Sequence, residues 1–124
     1  MNIDFNNNTP IYMQIVESLK IHIISGKYNL GERLPSVRDL AKDLKVNPNT
    51  MQKALVELEN LKLVYAESTT GRFITKDKKL IEKYKKNYAK NLTTEYIKNI
   101  TQIGLNIEDI KSLIGGTNGT IKNK

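Results

Sequence analysis

Between Pro35 and Leu61 the sequence carries two short apolar runs at helical spacing, each opened by its own start signal and separated only by Lys45, Val46 and Asn47. Ser36 followed by Asp39 has the form of a capping box in which the acidic residue replaces the usual Glu. The spacing predicts a helix from there to about Leu44, with Val37, Leu40, Ala41 and Leu44 on its inner face. Asn47 then offers a second cap, and Pro48 sits at the first helical position, where its missing N–H is harmless. Met51, Ala54, Leu55 and Leu58 recur behind it, so the next helix is expected over about 48–60. Two short helices joined by three or four residues, the second opened by polar side chains, form a helix-turn-helix arrangement, although periodicity alone also allows other helical hairpins.

The flanks narrow the choice. Upstream, Thr9 reads as a cap with Pro10 at the first helical position. Ile11, Ile15, Leu19 and Ile23, widened by Val16 and Ile24, then predict a helix over 10–25 that stops at Gly26. Residues 28–35 hold turn chemistry around Gly31, with room for one short strand. Downstream, Leu63–Glu67 and Arg72–Thr75 are strand-like runs around a tip at Ser68–Gly71. A helix-turn-helix followed by such a hairpin reads as a winged helix, in which the third helix enters the major groove and the hairpin tip lies along the backbone or minor groove.

Beyond the hairpin, residues 78–103 form a long helical pattern with Ile81, Tyr84, Tyr88, Leu92, Tyr96, Ile100 and Ile103 near one side, ended by Gly104. Asn106 and Asp109 open a last helix over about 107–114, with Ile107, Ile110, Leu113 and Ile114 apolar. Two helices so rich in Ile and Tyr cannot bury their faces against each other alone, so a second copy is the expected cover. The expected fold is mainly α with a small β-hairpin, a winged helix-turn-helix followed by a short C-terminal helical dimerisation region. Its parts are a DNA-binding domain at 1–76, a dimerisation region at 77–114 and a disordered tail at 115–124.

Composition excludes several function classes. The chain has 124 residues and no cysteine, which removes disulfides and thiolate metal sites, and one histidine cannot build a zinc site or a catalytic triad. His22 therefore reads as structural or surface, and neither metal nor cofactor is expected. No apolar run approaches a membrane span and the first ten residues lack signal-peptide order, so a cytoplasmic protein is expected. The net charge of +7 suits a polyanionic partner, but its distribution is uneven. Residues 1–75 carry nine cations and eight anions, whereas 76–90 carry seven and two. The N-terminal part must therefore gather its cations on one face to bind phosphates.

Taken in order, Pro10-Ile11-Tyr12-x-Gln14-Ile15, Gly26, Gly31-x-x-Leu34-Pro35-Ser36-x-Arg38-x-Leu40-Ala41, Val46-Asn47-x-x-Thr50 and Gly71-x-Phe73 resemble the GntR family of bacterial regulators over about residues 9–75. Larger members of that family attach separate ligand domains. The short remainder here resembles the small YtrA-type branch, whose members often repress their own operon together with transporter genes. The sequence departs from the family at Lys62, where glycine is usual, and at Thr69 in a wing that is often Gly-x-Gly. Pro48 and Asn49 replace residues that are often Arg or Thr, so base preference does not carry over.

The candidate DNA-binding residues follow from both readings. Within its motif Arg38 is expected at a phosphate or guanine, and Ser36 at its helix cap, at phosphate, or both. Asn47, Asn49, Thr50 and Gln52 lie at the start of the third helix. There Asn and Gln suit adenine edges, and Thr a phosphate or a thymine methyl. Lys53 suits a phosphate. At the wing, Gly71 would let backbone approach DNA, and alternation puts Arg72 on the outer face if Phe73 packs inward, reaching the minor groove. The partners expected are a double-stranded operator, a second copy and an effector whose identity and existence stay open. Two other readings compete. Lys76, Lys78, Lys79, Lys83, Lys85, Lys86 and Lys90 would suit an anionic membrane or an acidic protein with the winged helix as scaffold. An acid–base enzyme using Glu57 and Glu59, or Glu108 and Asp109, lacks a nucleophile or a recognisable pocket.

Overall fold

The computed structural model describes residues 1–121, with side chains to Gly116. Among them the elements run α1 (Ile11–Ile24), α2 (Val37–Leu44), α3 (Pro48–Asn60), β1 (Val64–Glu67), β2 (Gly71–Ile74), α4 (Lys78–Gln102) and α5 (Ile107–Ile121). The chain divides into two compact units, Met1–Lys85 and the residues from Lys86 onward.

In the first unit, Ile15, Leu19 and Ile23 of α1 and Met51, Leu55 and Leu58 of α3 are fully buried, together with Leu63, Val64 and Ile74 of the hairpin region. Each such side chain contributes about 1.5–3 kcal/mol by leaving water. Leu40, Ala41 and Leu44 bury the inner face of α2, so α2 and α3 pack as the helix-turn-helix. Ser36 Oγ accepts from Asp39 N–H at 3.1 Å and Asn47 Oδ1 accepts from Asn49 N–H at 2.7 Å. The start of α1 differs from expectation. Pro10, at φ −56° and ψ 144°, is the N-cap rather than the first helical residue, and Thr9 does not cap. Its extended ψ leaves it outside the helix, and Gln14 fastens the entering chain instead. Gln14 Nε2 donates to the carbonyls of Asn6 and Thr9 at 2.9 and 2.8 Å, and its Oε1 accepts from Asn6 N–H at 3.0 Å.

The helices of this unit stop by one device. After α1, Gly26 takes φ +84° and Lys27 N–H reaches back to the His22 carbonyl at 3.0 Å. Lys45 and Lys62 take φ +57° and +67°, with Val46 N–H on the Ala41 carbonyl and Leu63 N–H on the Leu58 carbonyl. All three are Schellman closures, which satisfy carbonyls that a helix end leaves open.

The hairpin pairs Val64 with Ile74 and Glu67 with Gly71. The loop before α2 supplies a third run along the free edge of β2. Gly31 N–H donates to Ile74, Ile74 N–H to Glu32 and Leu34 N–H to Arg72, at 2.8–3.0 Å. The first turns of α4 also belong to this unit. Asp77 caps them through Leu80 N–H at 3.1 Å, Ile81 is buried, and the Tyr84 hydroxyl donates to the Leu61 carbonyl at 2.8 Å.

In the second unit, Asn106 and Asp109 exchange backbone-to-side-chain hydrogen bonds at 2.9 and 3.0 Å, a complete capping box that opens α5. Ile110 is buried. The helix runs past its expected end at Ile114, and α5 continues to Ile121. Gly115 and Gly116 stay out of the left-handed region that would stop a helix. A helical glycine costs about 1 kcal/mol against alanine, which weakens a nucleated helix without ending it. Residues 122–124 of the expected tail lie outside the described residues.

Candidate nucleic-acid interface

Helical geometry sorts α3 into two faces. Met51, Ala54, Leu55 and Leu58 are buried, while Asn49, Gln52, Lys53 and Val56 project together on the exposed side with Thr50 half-buried beside them. The carboxamides and the hydroxyl supply donors and acceptors for base edges, and Lys53 a cation for a phosphate. Lys53 does not stand alone, for its Nζ lies 4.1 Å from the centroid of the Tyr12 ring. Tyr12, on α1, thus restrains a lysine of the exposed face of α3. Asn47 uses its oxygen in capping, which leaves its amide N–H groups for a partner.

Ser36 and Arg38 lie exposed at the start of α2. The hydroxyl of Ser36 accepts the capping bond, and Arg38 has no ion pair among the described residues. Next to them a surface notch of about 390 Å³ is lined by Arg33, Leu34, Pro35, Ser36 and Asp39.

The wing corrects the reading of Arg72. Ile74, not Phe73, packs into the core, and Phe73 stacks on Tyr65 across the hairpin at 5.7 Å between ring centroids. Strand side chains alternate, so Arg72 shares the inward face with Ile74 and turns toward α3. Its Nε donates to Glu59 Oε1 at 2.6 Å and its Nη1 to Gln52 Oε1 at 3.4 Å, and its side chain is 18% exposed. Another arginine lies at the tip side. Arg33 crosses Gly71 so closely that a Cβ there would come within 3.1 Å of its Nε, and Gly71 itself takes φ +117°. The positive φ favours glycine at this position, and a Cβ would also press on the Arg33 side chain.

Arg33 and Val56 are the residues that sequence reasoning missed. Val56 falls one turn beyond Gln52, and an aliphatic residue off the buried stripe was a usable signal. Arg33 had none, because its place depends on the run before α2 pairing with β2. The structure brings Gln52, Glu59 and Arg72 together, as it does Lys53 with Tyr12 and Arg33 with Gly71.

Residues 11–74 match the family described as bacterial regulatory proteins, gntR family. The chain belongs to the GntR family. Similar proteins include the HTH-type transcriptional regulator YhcF of Bacillus subtilis, 30% identical over 110 residues that span 89% of this chain and 91% of YhcF. The HTH-type transcriptional repressor YtrA of the same organism is 39% identical over 77 residues, 62% of this chain and 59% of YtrA. These relatives support the small YtrA-like branch. A GntR family transcriptional regulator from Listeria monocytogenes superposes with a TM-score of 0.85 at 39% identity, covering 90% of this chain and 98% of that one. As a GntR protein the chain is a DNA-binding transcription regulator and not an enzyme. No helix among the described residues is long and apolar enough to cross a membrane.

Proposed function

We propose that this GntR regulator is a cytoplasmic repressor that binds an inverted-repeat operator as a homodimer and blocks polymerase there. By its likeness to the YtrA branch, the target is its own operon with transporter genes. The observation that carries the reading is the exposed polar face of α3, with Asn49, Gln52 and Lys53 aligned beside Thr50 and backed by a fully buried opposite face. Support for a dimer comes from the second unit, where Leu92, Thr93 and Tyr96 of α4 and Leu113 and Ile114 of α5 line an open apolar cavity of about 490 Å³. In this reading, residues from 86 onward hold two winged helices on half-sites about one helical turn apart.

Selecting bound fragments from the native genome, then titrating them at fixed salt, tests the proposal. Arg38→Ala or Thr50→Ala is expected to weaken the selected operator by about 1–3 kcal/mol for each lost base contact, with the helical signal unchanged. Unchanged affinity in both variants sinks the assigned face. Transcription from the selected promoter in a purified system should fall as protein is added, and a rise would refute repression.

A further inference from the structure

We infer that Arg72 is a positioning residue for base reading by Gln52, and that its guanidinium thereby tunes the specificity of α3 without itself touching DNA. The inference deepens the proposed function and rests on α3 being the base-reading helix. Arginine carries donors only, so the end of the Gln52 carboxamide that faces it must be the oxygen. The observed contact runs from Arg72 Nη1 to Gln52 Oε1 at 3.4 Å. The same guanidinium is anchored by Glu59 through Nε at 2.6 Å, a charge-assisted bond with both partners partly shielded from water.

Glu59 lies two turns along α3 from Gln52, so the two groups share one side of the helix and a single guanidinium serves both. A free glutamine on an exposed helix has several rotamers and two amide orientations to lose on binding. Here one orientation is set in advance, which lowers the cost of ordering it against a base. With the oxygen drawn to Arg72, the Nε2 amide points away as a donor. To accept from adenine N6–H₂ the engaged oxygen would have to use its one remaining lone pair beside the guanidinium. The two adjacent acceptors of guanine, N7 and O6, fit the free N–H groups.

The two roles open to Arg72 make different predictions. A phosphate contact weakens all sequences alike and its removal flattens the salt dependence by about 0.9 in the logarithmic slope. A positioning residue costs discrimination at one base pair. The test is selection from a random duplex library by the full chain, followed by titration of every substitution at each half-site position. Gln52→Ala identifies the base pair that Gln52 reads, expected to be guanine in the wild type. Arg72→Met keeps the length and apolar body of the side chain, and should reduce discrimination at that same base pair by about tenfold, within the range for a good base contact. Other positions and the salt slope should not change.

In the Gln52→Ala background Arg72→Met should add nothing. Glu59→Gln, which loosens the anchor and leaves Arg72 in place, should lose part of the same discrimination. A uniform loss of affinity with a flatter salt slope in Arg72→Met overturns the inference, as does adenine at the Gln52 position of the wild type. Selection of no sequence at all would instead bring down the reading of α3 itself. Relaxation at one position by Gln52→Ala, with Arg72→Met silent there, overturns only the inference.

Discussion

Lys62 ends α3 at φ +67°, a conformation that suits glycine and strains a side chain with a Cβ. Its N–H nevertheless closes the turn on the Glu59 carbonyl at 2.9 Å, so the geometry is enforced by the closure and by the buried Leu63 that follows. Lys62→Gly should relieve about 1–2 kcal/mol of strain while adding roughly 0.5–1 kcal/mol of unfolded-chain entropy. A net gain of about 0.5–1 kcal/mol is expected in urea unfolding. A loss would mean that the lysine side chain contributes packing that its exposure does not suggest. At the wing, Arg33 lies exposed across Gly71 with no ion pair among the described residues, whereas Arg72 is held by Glu59. Arg33→Ala should therefore weaken specific and non-specific duplexes alike and flatten the logarithmic salt slope by about 0.9, read from titrations at several salt concentrations. An unchanged slope would remove Arg33 from the interface. Sequence reasoning turned Arg72 outward, and passed over Arg33, for a definite reason. Strand alternation is legible, but which of Phe73 and Ile74 takes the core depends on Tyr65 lying opposite Phe73 to receive its ring.

Elements were legible where a cap and a period agreed. The limits of α2 and α3 could be read because Ser36 and Asn47 fix their starts and the buried residues of each fall on one stripe. The missed limits have local causes, an extended ψ at Pro10 and a glycine pair in α5 that stays helical. Less visible was the division of labour within α4. Its continuous pattern of Ile and Tyr gives no hint that Ile81 and Tyr84 serve the first unit. Tyr84 hands its hydroxyl proton to the Leu61 carbonyl at the C-terminal end of α3, and Lys20 of α1 lies 5.4 Å from the centroid of its ring. That hydroxyl thus fastens the start of α4 to the end of α3. Tyr84→Phe keeps the ring and leaves the carbonyl without this donor, at a cost of about 1 kcal/mol in denaturant unfolding. Hydrogen exchange should show faster opening at the last turn of α3. If stability and exchange are both unchanged, water replaces the hydroxyl and α4 is held by Ile81 alone.

On the scale of the whole molecule, the open apolar side of the second unit is the feature left to explain. Leu92, Ile103, Ile107 and Leu113 are each about half exposed or more, although Ile110 on the same helix as Leu113 is buried. In the proposed function this apolar surface is where a second copy docks, since a single winged helix reads too few base pairs to find one site in a genome. Joining two copies makes the second half-site contact intramolecular, so palindrome affinity exceeds that of a half-site without any new base contact. Leu113→Glu tests this in the full chain. Because Leu113 is 47% exposed, the substitution should alter the monomer fold by no more than about 0.5 kcal/mol. At an interface it would bury an unpaired carboxylate, which costs several kcal/mol. Sedimentation is expected to give a dimer for the wild type and a monomer for the variant. Titration should then give equal affinities for an isolated half-site, while the wild type's advantage on the palindrome disappears in the variant. A variant that stays dimeric would place the contact elsewhere. A wild type that is monomeric at micromolar concentration, yet holds the palindrome as tightly as a dimer should, would show that the second unit does not bring two copies together.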